Sequence, residues 1–300
     1  MSMTHAHIRW LSLIRYQASV ADELTRQPTP LAMLSINTLH DAIESLLVLA
    51  IEVRTLTPPD KKPTFMQLFE TVSKDVPETL AAHRRNLLNL NEARVGFKHY
   101  GVTLDQPTID RLHVAARAFL DDASPAALGQ DFDSISLARL IPEPSVRQAV
   151  EDAEAKWRAG DRHGAMLGLR QAFYLLVGVY ERAYSSGSRS PFTARPSGGT
   201  AVDAQRMRTM SEFGAFGFAG DDHNHRWLTN LDDRVKLLAL GVDLNRYTFL
   251  DVHAPVREQN PDIDRETSGF TQDVFDRCHR FVVDTALKLV EMRRGSSAAP

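Results

Sequence analysis

Cysteine is almost absent from this chain: Cys278 stands alone in 300 residues. An intramolecular disulfide is therefore excluded, and so is a thiolate metal cluster. Net charge is nearly absent too, at -3, so no global basic field marks a nucleic-acid coat protein. Lysine is scarce, with 7 lysines against 28 arginines. Long hydrophobic runs are missing. The longest, LLVLAIEV, is interrupted by Glu52, well short of the roughly 18 apolar residues that span a bilayer. The N-terminus, MSMTHAHIRWLSLIRYQ, lacks the basic start, apolar core and small-residue cleavage site of a secretory leader. These absences predict a cytoplasmic protein with no membrane partner. SGGT at residues 197–200 lacks the lysine and flanking strand of a phosphate-binding loop, and no serine nucleophile elbow occurs.

Alternating strand patterns are missing as well, and helical periodicity fills the chain. The fold class is all-α: a helical bundle followed by a second helical region. Expected helices cover residues 7–26, closed by the prolines of QPTP, and residues 31–54, with Leu39, Ile43, Leu46, Leu47, Ala50 and Ile51 on one apolar face. A short helix at 64–73 precedes a long one that opens at Val76-Pro77-Glu78 and stops at Gly101, a residue that tolerates the left-handed cap conformation. A helix at 107–121 completes the first bundle. DDASPAALGQDFDS, residues 121–134, reads as a linker, which divides the chain into domains 1–125 and 126–300. The second half holds a helical hairpin turning at Ala159-Gly160-Asp161, a Ser/Gly/Pro-rich loop at 185–200, helices at 206–213 and 228–240, a short helix near 241–255 and a closing amphipathic helix at 271–293.

The polar residues worth attention lie at the end of the long helix, in NEARVGFKHYG. Arg94 and His99 are separated by four residues. With this many arginines and histidines, about one such pair is expected by chance at any given spacing, and Arg158/His163 repeats the interval. Context separates them. Arg158 and His163 straddle a Gly-containing turn, and Arg246/His253 falls in a short irregular stretch. Arg94 and His99 ride the last turns of a rigid helix, which aligns side chains better than a loop. Asn91 lies one turn before Arg94 and Lys98 one turn after, so an amide, a guanidinium and an ammonium share a face suited to a phosphate. His99 is about 140° around an ideal helix from Arg94. Either the last turn relaxes near Gly101, or a second copy supplies the complementary groups. On the second helix, Asn37, His40, Asp41 and Glu44 form one polar stripe beside the apolar face. Turned inward, its carboxylates hold Arg94 or orient His99; turned outward, it is an ordinary solvated face.

The run Asn-Glu-Ala-Arg-Val-Gly-Phe-Lys-His-Tyr-Gly resembles the signature of HEPN domains, all-helical bundles of prokaryotic toxins, antiviral defence effectors and RNA-processing nucleases. Their motif is an arginine and a histidine four to six residues apart near the end of a late helix, and Arg94 and His99 match those positions. An upstream helix like HDAIESLLVLAIE, residues 40–52, is also typical, with an acidic residue facing the site; Asp41 or Glu44 fills that place here. The likeness covers about residues 5–125. It implies a metal-independent endoribonuclease acting in a composite homodimer site, with RNA as substrate and no cofactor. Arg94 and His99 would be catalytic, and Asn91, Lys98, Asp41 and Glu44 supporting. The second half would then be regulatory or bind a protein partner. Active members usually carry a polar residue directly after the arginine, where this chain has Val95.

The chemistry needs no metal. The 2′-hydroxyl of RNA attacks its neighbouring phosphate with help from a base, an acid and a stabiliser of the building charge. A histidine, with an unperturbed pKa of about 6.5, serves as base or acid near neutral pH. Arginine stabilises the phosphorane oxygens. The rival expectation is a catalytically inactive HEPN-like module for nucleic-acid, nucleotide or protein binding, in which His99 only caps its helix. A third is a zinc hydrolase built on His223 and His225 in DDHNHRW. His279, between core positions of the last helix, is expected to pack rather than react.

Overall fold

Helix-start chemistry is written into the first half of the chain. Thr4 accepts from the His7 amide at 3.2 Å while His7 Nδ1 accepts from the Thr4 amide at 3.3 Å, a reciprocal cap that opens α1 (His5–Thr25). Thr64 and Gln67 do the same for α3 (Phe65–Asp75). The computed structural model describes residues 3–185, 234–235, 237–254 and 269–297. Among the described residues there are ten α-helices and no strand. The all-α class read from the sequence therefore stands. Two compact units divide between Leu140 and Ile141.

In the first unit, α2 (Met33–Arg54) is the central helix and packs against α1, α3, α5 (Arg84–Tyr100) and α6 (Gln106–Leu128). Its Leu39, Ile43, Leu46 and Ala50 are buried with Leu11 and Ile14 of α1 and Phe119 of α6. Burying each large aliphatic side chain contributes about 1.5–3 kcal/mol, so this face fixes the bundle. By length and composition α2 also passes for a membrane span, a resemblance the broken LLVLAIEV run did not suggest. Its apolar face is taken up by the neighbouring helices instead.

Two expectations are corrected here. The long helix from residue 76 is three pieces: α4 (Pro77–Leu80), a 3-10 turn (Ala81–His83) and α5. The turn lets Leu80 and Leu87 both reach the core and brings His83 Nε2 to Asp122 Oδ2 at 2.8 Å. Residues 121–134 are not a linker. α6 runs through Pro125 to Leu128, and Ala123, Ser124, Ala127, Leu128, Phe132 and Ile135 are buried. Arg117 ties this segment back, bonding Asp133 at 3.0 Å and lying over the Phe132 ring. Hence the first unit continues past residue 125 to Leu140.

The second unit contains the expected hairpin, α7 (Pro144–Arg158) and α8 (Arg162–Ser185), turning at Gly160 with φ of 87°. Gly168 of α8 lets the two helices close up: a Cβ there would meet the Ala153 Cβ at 3.1 Å. α9 (Leu244–His253) and α10 (Gln272–Ser297) pack on α8. Cys278 of α10 is fully buried, and burial pushes its thiol pKa up to about 12. The native chain should thus resist a disulfide reagent such as DTNB at pH 8 over hours and react stoichiometrically once denaturant is added; fast native labelling would contradict this burial. Of the expected loop at 185–200, Ser185 still belongs to α8 and the rest lies outside the described residues, as do the helix at 206–213 and most of that at 228–240, though 234–235 and 237–239 are helical.

Candidate functional site

α5 carries both halves of the Arg/His motif, and its end is regular. Gly101 takes the left-handed conformation at φ of 65°, its amide bonding Phe97 O at 3.1 Å, while the Val102 amide reaches Gly96 O at 3.2 Å. This closure satisfies the last carbonyls and keeps the helix intact through Tyr100. The relaxed last turn that would aim both groups at one point within a single chain does not occur. Arg94 and His99 therefore keep their angular separation of about 140°.

Their surroundings differ accordingly. Arg94 faces α2, with its side chain 21% exposed and Nη2 3.8 Å from Asp41 Oδ1. Asp41 lies toward Arg94 while its side chain stays 55% exposed, at the solvated edge of the stripe. His99 is exposed, and its one ring neighbour among the described residues is Tyr100, edge-on at 6.4 Å. Lys98 is exposed beside it. Tyr100 itself is 78% exposed.

Asn91 has a different task from the one its spacing suggested. Its Oδ1 meets His40 Nε2 at 3.0 Å, which draws it toward α2 and away from a phosphate on the Arg94–Lys98 face. Glu44 holds neither Arg94 nor His99; its carboxylate lies 3.9 Å from His40 Nδ1. His40 is the residue whose importance the sequence understated. It is buried, stacks on Phe65 at a centroid distance of 4.1 Å, and links α2 to α5 through Asn91. Burial lowers its pKa below the ordinary imidazole value; the Arg94 charge acts in the same direction, against the Asn91 hydrogen bond. The signal available in sequence was its place on the Asn37–Glu44 stripe nearest the apolar face.

The other Arg/His pairs are placed differently. Arg246 and His253 lie on α9, which is a regular helix capped by Asp243 rather than an irregular stretch. Arg246 bonds Asp284 at 2.6 Å, and His253 stacks on Phe249. Arg158 and His163 are separated by the Gly160 turn, as expected. His279 bonds Glu154 at 2.8 Å and stacks on Phe275, the packing role expected of it. His223 and His225 lie outside the described residues. No family model, no curated protein and no solved structure matches this chain.

Proposed function

We propose that the chain is a metal-independent endoribonuclease of HEPN type, working as a homodimer with Arg94 and His99 of both copies around one phosphate. The observation that supports this most is the fixed geometry of α5. In one protomer α5 presents a single exposed imidazole, His99, about 140° away from its motif arginine, whereas a two-fold axis near the α5 tip supplies two of each. α5 also carries four Lys/Arg against one carboxylate, Glu92, in a chain of net charge -3, so the field at this helix suits a polyanion. Tyr100 adds an exposed ring of the kind on which unpaired bases stack.

In this arrangement one imidazole takes the proton from the RNA 2′-hydroxyl as O2′ bonds to phosphorus. The P–O5′ bond breaks, and the second imidazole, protonated, gives its proton to the departing O5′. The two guanidiniums bear the charge that builds on the phosphorane oxygens. The products carry a 2′,3′-cyclic phosphate and a 5′-hydroxyl. A toxin or antiviral effector role fits a nuclease of this kind, with the second unit as its regulatory or partner-binding part.

The test is incubation of the purified protein with total RNA in excess EDTA. Cleavage yielding cyclic-phosphate ends is expected, at a rate rising with protein concentration until the dimer is saturated. Loss of cleavage on chelation would reject the mechanism. The second reading, a silent helical binding module, has Val95 and the Asp41–Arg94 pair in its favour. It predicts RNA retention without cleavage in the same assay.

A further inference from the structure

The polar stripe of α2 holds an arrangement that the ribonuclease reading does not use. His40 Nε2 faces the Asn91 side-chain oxygen at 3.0 Å. An amide oxygen only accepts, so with this partner the neutral ring has its proton on Nε2 and its lone pair on Nδ1. That Nδ1 belongs to a side chain only 3% exposed and has no hydrogen-bond partner among the described residues. It is directed at two carboxylates, Asp41 Oδ1 at 3.6 Å and Glu44 Oε2 at 3.9 Å. A buried lone pair facing two anions is repulsive; the Arg94 guanidinium, 3.8 Å from Asp41 Oδ1, offsets part of this from one side, and a cation among the three atoms would offset the rest.

We propose that His40 Nδ1, Asp41 and Glu44 form a binding site for one divalent first-row transition-metal ion, such as Zn²⁺. The three ligand atoms all lie within 4.8 Å of one another. Bonds of about 2.0–2.2 Å in a tetrahedral centre place ligand atoms about 3.3–3.6 Å apart. The remaining contraction falls on Asp41 and Glu44, whose side chains are 55% and 41% exposed and free to swing. The imidazole stays where Asn91 and Phe65 hold it. A hydrogen bond on the far ring nitrogen is what fixes tautomer and orientation in metal-bound histidines. One nitrogen with two carboxylates favours zinc or manganese over magnesium or calcium, which take oxygen ligands alone. Open positions on the exposed side are completed by water. Asp41 Oδ1 is also the oxygen nearest Arg94, so ion and guanidinium compete for it.

The site shares Asp41 with the motif arginine, but the ion is not among the groups that move protons in the proposed RNA chemistry, and cleavage in EDTA would leave the inference intact. The test is equilibrium dialysis of the full chain, stripped with EDTA, against buffered Zn²⁺. His40→Ala empties a buried position and threatens folding, so Glu44→Gln and Asp41→Asn are used, with circular dichroism as the folding control. Each variant should bind one zinc fewer per chain than wild type, or bind that zinc at least about tenfold more weakly, since even partners outside the ligand set are worth that much. His99→Ala should bind as wild type, and Mg²⁺ should not displace the zinc. Equal stoichiometry and affinity in wild type and both folded variants would overturn the assignment. So would the absence of bound zinc in wild type, which would leave a proton as the species between Nδ1 and the carboxylates.

Discussion

His99→Ala should abolish RNA cleavage while leaving thermal unfolding within about 2 °C of wild type. The loss has a clear minimum size. Acid or base catalysis by one positioned side chain contributes about 10²–10⁴-fold, and a two-fold site loses both imidazoles to a single substitution. Stability should hold because the side chain is exposed and its one ring neighbour among the described residues is the adjacent Tyr100; exposed substitutions of this kind usually stay within about 0.5 kcal/mol. Arg94→Ala should fall by about 10²–10³-fold, the usual cost of removing a donor aimed at developing charge. Its 3.8 Å pairing with a 55% exposed Asp41 is worth at most about 1 kcal/mol, so it too should stay folded. Rates are read from single-turnover cleavage of a labelled RNA, and unfolding from circular dichroism. Two folded variants that cut like wild type would remove the nuclease from this helix, and two that melt early would make the pair structural. Val95→Asn sharpens the comparison: the nuclease reading expects activity to hold or rise.

Phe119→Ala should be the most damaging core change, lowering the stability of the first unit by about 3–5 kcal/mol. Phe119 is completely buried on α6, with ring neighbours Phe69 of α3 at 6.1 Å and His83 of the 3-10 turn at 5.5 Å. Removing the ring empties the point where three segments of chain meet. Typical domains hold only about 5–15 kcal/mol in total, so a sizeable unfolded fraction at 37 °C is expected. Val114, 66% exposed on the same helix, provides the control: Val114→Ala should stay within about 0.5 kcal/mol. Urea titrations of both variants decide the matter, and a Phe119→Ala loss below 1 kcal/mol would contradict the packing described for α6.

Much of the architecture follows from local rules that a linear sequence displays. The stop at Gly101 and the turn at Gly160 both depend on residues within one or two turns of each other. The extension of α6 through residues 121–128 does not. Its buried stripe is made of Ala123, Ser124, Ala127 and Leu128, the first three too small to register as apolar periodicity yet well suited to close packing, and Pro125 reads as a breaker. The candidate site divides in the same way. Arg94 and His99 are legible because they share a helix, and Asp41 because it sits on a recognisable stripe. The bond between His40 and Asn91 spans 51 residues of chain; helical periodicity names a face but never its partner across the bundle.

The closure of α5 at Gly101 also makes the segment intolerant of length changes. Each residue in a regular helix adds about 100° of rotation and 1.5 Å of rise. One residue gained or lost between Arg94 and His99 would swing the imidazole by more than a quarter of the circumference while Asp41 kept the guanidinium in place. Point substitutions at Val95 and Lys98 preserve that angular register; a single-codon insertion or deletion between them would not.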